Sequence, residues 1–143
     1  MRWIKLLLFY IITSSCTHEE IYYSYKDVTI KRVDTDGKST FYYLKNGKEN
    51  GEIWAEYSGI NDGFKGYLKF GENGKVELLS GDGYFQTKDI DSTLFNYKRI
   101  YSDGTNYKLP NVCEVWYPYQ AEQSWNKKAN TSNIKFAYPN ELK

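Results

Sequence analysis

Nucleophilic catalysis needs a base beside its nucleophile, and this 143-residue chain has one histidine, His18, and two cysteines, Cys16 and Cys113, from which to build such a pair. His18 sits two residues after Cys16 and far along the chain from Cys113, so neither a Cys/His pair nor a histidine-based metal centre can be assembled from neighbouring positions. Carboxylates are the remaining acid–base chemistry. Glu52, Glu56, Glu77 and Glu114 all fall in strand-like segments, where two of them would make a glycosidase-type pair, but no spacing selects which two. Asp34-Thr35-Asp36-Gly37 opens like a calcium loop, yet Lys45 stands where the closing acidic ligand belongs. Asp82, Asp89 and Asp91 lie in turn sequences, where aspartate ordinarily caps its own backbone. The sequence therefore predicts no catalytic residue, no metal and no cofactor.

Binding chemistry is better represented. Aromatic residues make up 18% of the chain, with 15 tyrosines and four tryptophans. Trp116, Tyr117, Tyr119 and Trp125 gather where Pro118 interrupts a strand, and Lys127 and Lys128 add a cationic side. Tyrosine and tryptophan offer flat apolar area with a polar handle, which suits protein interfaces and sugar-stacking platforms. These four aromatics are the candidate binding residues. A net charge of +1, from 19 Lys+Arg against 18 Asp+Glu, argues against a nucleic-acid partner.

The first sixteen residues carry a different message. Arg2 and Lys5 precede an apolar run from Leu6 to Ile12, followed by Thr13-Ser14-Ser15-Cys16. That order is a secretory signal layout, and seven apolar residues are too few to span a bilayer. Small residues directly before a cysteine resemble the lipobox of bacterial lipoproteins, with Thr13 where that motif carries Leu. The resemblance implies cleavage before Cys16, lipidation of Cys16, and residence in the cell envelope on a membrane, the outer membrane above all, facing the periplasm or the surface. Removing Arg2 and Lys5 would leave 17 basic against 18 acidic side chains, a net of −1. Cys113, in Val112-Cys113-Glu114-Val115, would then be the one remaining thiol and reads as a buried strand residue.

The elements that must hold these groups are strands. Asp36-Gly37, Asn46-Gly47, Asp62-Gly63, Asn73-Gly74, Asp82-Gly83 and Asp103-Gly104 are hairpin-turn dipeptides, because they supply positive φ cheaply. Between them, period-2 patterns predict about nine strands, with Phe64–Phe70 and Val76–Ser80 as the clearest hairpin. Ala121–Lys128 suits a short helix or a long loop equally. The expectation is an all-β fold, a single small antiparallel meander forming a barrel or a two-sheet sandwich. Gly66-Tyr67-Leu68-Lys69-Phe70-Gly71-Glu72-Asn73-Gly74-Lys75-Val76 resembles the hairpin of lipocalin-like lipoproteins, which implies a barrel. Domain organisation follows as a signal peptide over 1–15, a lipidated cysteine and tether over 16–26, and one β-domain over 27–143. The functional expectation is a membrane-anchored, non-enzymatic binding lipoprotein for a protein or small ligand, such as a toxin-immunity protein or an accessory subunit. A carbohydrate-binding module and a small carboxylate-dependent hydrolase are the alternatives.

Overall fold

The computed structural model describes residues 18–35, 37–56, 64–81, 84–100, 109–117, 119–129 and 133–139. They form β1 (Glu19–Tyr25), β2 (Val28–Thr35), β3 (Lys38–Lys45), β4 (Lys48–Glu56), β5 (Lys65–Phe70), β6 (Val76–Ser80), β7 (Phe85–Lys88), β8 (Phe95–Arg99), β9 (Val112–Trp116), α1 (Tyr119–Ala129) and β10 (Lys135–Ala137). One sheet has the order β10-β1-β2-β3-β4-β7 and the other β8-β6-β5-β9. The fold is all-β, as two separate ladders rather than the closed barrel that the lipocalin likeness implies.

Turn chemistry explains the first sheet. β1 to β4 is an up-and-down meander. Asn46 and Gly47 both take positive φ, 53° and 72°, between β3 and β4, which matches the strand twist of a two-residue hairpin. Gly74, at φ 80°, turns β5 into β6 in the register Phe70↔Val76 to Gly66↔Ser80, so the clearest expected hairpin is present. The Asp62-Gly63, Asp82-Gly83 and Asp103-Gly104 pairs lie outside the described residues.

Two expectations are corrected. The tether assigned to 16–26 gives way to β1, whose Glu19–Tyr25 pair residue by residue with β2 and whose Ile21 and Tyr23 are fully buried. The β1–β2 turn carries its positive φ on Lys26, at 55°, so no glycine marks it in the sequence. The antiparallel meander also breaks at β8, which runs parallel to β6. After β6 the chain leaves to pair β7 with β4, then re-enters the second sheet beside β6 in the same direction. Parallel neighbours need such a crossover.

Alternation places the core between the sheets. Ile21, Tyr23, Ile30, Phe41 and Ile53 face Leu68, Phe70, Val76, Leu78, Phe95 and Val115, all essentially inaccessible. Edge-to-face and tilted ring contacts bridge the layers, Phe41–Phe64 at 5.9 Å and Tyr25–Phe70 at 5.8 Å. Gly66 is required by this packing, since a Cβ there would lie 2.6 Å from the Leu79 carbonyl oxygen on the neighbouring strand. Cys113 is buried on β9 as expected, and burial pushes its thiol well up from the ordinary value.

Candidate functional site

The binding candidates converge at one end of β9. Trp116 closes β9, and Trp125 comes back over it from α1 with ring centroids 5.9 Å apart and planes 23° from parallel. Lys65, opposite Trp116 in the β5–β9 register, brings its Nζ to 4.7 Å from the centre of the Trp116 ring. Trp116 Nε1 donates to Glu114 Oε2 at 2.7 Å, and Lys65 Nζ lies 3.4 Å from the same oxygen. Trp116 is thus half-buried among fixed partners, whereas Trp125 keeps 42% of its surface in solvent. The arrangement offers the exposed indole of Trp125 backed by Trp116, whose own ring meets Lys65 and Glu114.

Tyr117 and Tyr119 have different duties. Both pack against the core, and the Tyr119 ring stacks on Tyr138 at 6.2 Å. The structure brings together Trp116 and Trp125 of the four candidates and turns the other two inward. The side chains of Lys127 and Lys128 lie outside the described residues, as does Cys16.

What holds α1 in place is buried and charged. Glutamine, glutamate and lysine favour a helix over 119–129, and Glu122 sits in its first turn, where the helix dipole favours an acid. The stripe Tyr119, Glu122 and Asn126 follows the i, i+3, i+7 spacing of one helix face. Glu122 is fully buried. Its Oε2 accepts from Arg32 Nη1 and from the Trp116 N–H, each at 2.8 Å. Its Oε1 accepts from the Tyr23 and Tyr138 hydroxyls, each at 2.9 Å. Asn126 Nδ2 donates to the Tyr138 hydroxyl at 3.0 Å.

Arg32 is the hub, pointing inward from β2 with no exposed surface. Nε and Nη2 bind Asp34 in a fork at 2.7 and 2.6 Å, and Nη2 also donates to the Trp116 carbonyl at 2.8 Å. Ser39 Oγ donates to Asp34 Oδ1 at 2.6 Å. The guanidinium carbon lies 5.6 Å from the Phe41 ring centre and 5.5 Å from that of Phe64. Burial works against the Arg32 charge, but Tyr23, Asp34 and Glu122 outweigh it and raise its pKa further. Burial pushes the Glu122 carboxyl above its ordinary value, while Arg32, the Trp116 N–H and the two hydroxyls pull it back. Burial and the nearby Glu122 push both tyrosine hydroxyls up.

The remaining carboxylates are dispersed or occupied. Glu52 and Glu56 lie on the outer face of the six-stranded sheet, while Glu77 and Glu114 lie on the outer face of the other. The core therefore separates the two pairs. Asp34 is committed to Arg32 and Ser39, and Asp91 accepts from the Thr93 backbone and hydroxyl at 2.9 and 2.6 Å. Asp36 and Asp82 lie outside the described residues. An open cleft of about 250 Å³ on the first sheet is lined by Tyr42, Glu49, Gly51, Glu52, Lys88 and Asp89. It forms where a bulge shifts the β3–β4 register and Gly51, at φ +76°, lets the segment after β7 cross within 2.5 Å of where its Cβ would be.

Sequence reasoning missed Arg32 and Glu122. Arg32 could have been found from alternation, because it shares a β2 face with Val28, Ile30 and Asp34. Lys65 was legible as an outward residue, but its meeting with Trp116 depends on the β5–β9 pairing. No family model, curated protein or solved structure matches this chain.

Proposed function

We propose that this chain is a lipid-anchored envelope protein whose β-sandwich is a non-catalytic binding domain for a partner protein. Cys16 is its lipidation site, and the outer membrane is the membrane it is held on. The observation that carries the binding reading is Trp125, half-exposed and stacked on a Trp116 whose backbone is held by Arg32 and Glu122. A tryptophan held against a fixed neighbour loses little entropy on association, and tryptophan is enriched among residues that dominate binding energy. A carbohydrate ligand is the second reading, favoured by the near-parallel indoles, since a sugar ring can stack on the open side of Trp125.

A photo-crosslinking residue at the exposed position Ser124 tests this in native envelopes. A discrete protein adduct that disappears in the Trp125→Ala background is the expected result. Absence of any adduct, together with glycan-array binding that depends on Trp125, would replace the protein partner with a glycan. Catalytic turnover by the purified domain that a single Glu→Gln change abolishes would contradict both. Globomycin tests the anchor separately: the precursor should accumulate and mature lipidated protein should vanish.

A further inference from the structure

Glu122 sits in its surroundings as a ligand sits in a receptor. All four donors to its carboxyl come from outside α1: Tyr23 from β1, Arg32 from β2, the Trp116 N–H from β9, and Tyr138 just past β10. The two N–H donors at 2.8 Å have the length of bonds to a carboxylate, and the two hydroxyls at 2.9 Å lie within ordinary hydrogen-bond range. The two side-chain donors from the strands, Arg32 and Tyr23, are each aimed by a further contact. The Asp34 fork and the Trp116 carbonyl occupy Arg32 Nε and Nη2, which directs Nη1 at Glu122. Arg32 Nη1 also donates to the Tyr23 hydroxyl at 3.1 Å, so the hydroxyl proton is turned toward Glu122 Oε1. A guanidinium, a backbone N–H and two hydroxyls converging in a desolvated pocket form a carboxylate-recognition set.

We propose that the two sheets build a carboxylate-binding site, and that Glu122 is its intramolecular occupant. The ligand class is a small monocarboxylate or the acidic side chain of a polypeptide, and α1 is the segment that delivers the resident one. This holds whatever Trp125 touches.

Changing Glu122 to Ala removes a methylene and a carboxylate, the atoms of one acetate ion. Thermal unfolding of purified Glu122→Ala is followed in sodium acetate, and in sodium chloride or acetamide at matched concentration. Acetate at about ten times its dissociation constant should raise Tm by about 5 °C over the chloride sample. The wild type and Glu122→Gln, whose sites are filled, should not respond. Equal Tm in acetate, chloride and acetamide would overturn the proposal. So would a variant unfolded in all three, because the sheets would then fail to build the site without Glu122.

Discussion

Arg32 and Lys65 both lie against aromatic rings, one inside the sandwich and the other on its surface. Arg32 lies against both Phe41 and Phe64, at 5.6 and 5.5 Å from their ring centres, and Lys65 sits 4.7 Å from the Trp116 ring centre. Each also pairs with carboxylates, Arg32 with Asp34 and Glu122, Lys65 with Glu114. The chemistry is similar, but the surroundings differ. Arg32 has no water to fall back on, so its donors must be matched from within. Two of its hydrogen bonds go to its strand neighbour Asp34, and the others reach Tyr23, Glu122 and Trp116 on separate elements. Lys65 is half-exposed and can exchange Glu114 for solvent at little cost. β9 links the two, since the Trp116 backbone binds Arg32 and Glu122 while its ring faces Lys65 and Trp125. The interior charge fixes where the surface aromatic stands.

That contrast can be broken first at Arg32. Arg32→Met leaves Asp34 and Glu122 buried without their cation and should cost about 3–5 kcal/mol in urea unfolding. The triple change Arg32→Met, Asp34→Leu, Glu122→Leu should be more stable than the single change, because it removes the charges together. A triple variant weaker than the single would show that packing, rather than charge matching, decides this site.

Glu122→Gln is the next largest effect. Its amide nitrogen meets donors where the carboxyl oxygen accepted them, which should cost about 1–3 kcal/mol. The loss depends on pH with a definite sign. Burial holds the folded-state pKa of Glu122 above its ordinary value of 4.5, so the stabilisation from Glu122 is full below 4.5. It declines as pH rises from there through the raised value. The stability difference between wild type and Glu122→Gln should therefore narrow as pH increases, and a widening difference would reverse the assignment.

Lys65→Ala should change stability least, by under about 1 kcal/mol, with an effect that shrinks further at high salt. A loss comparable to that of Arg32→Met would erase the distinction between the two cations.

Legibility in the sequence followed the range of each interaction. Asn46-Gly47 and Asn73-Gly74 announced their hairpins because both turn residues lie side by side, and the alternation of Phe64, Leu68 and Phe70 announced the buried face. β1 was hidden because Glu19, Glu20 and the glycine-free Lys26 turn resemble a polar tether, although Ile21 and Tyr23 are the residues that bury. The parallel β6–β8 pair was hidden because nothing local encodes which strand lies beside which. At the candidate site, Trp116 and Trp125 were visible as an aromatic excess, and Tyr117 and Tyr119 could not be told from them without knowing which faced the core. Glu122 and Arg32 are 90 residues apart, so nothing local in the sequence pairs them.

Trp125 serves binding, in the function proposed above, while the charges beneath it serve the fold. Trp125→Ala separates the two roles when stability and the Ser124 photo-adduct are measured on the same protein. The expected result is an unfolding free energy within about 1 kcal/mol of wild type together with loss of the adduct. An adduct that persists, or a collapse of stability like that expected for Arg32→Met, would contradict this division of labour.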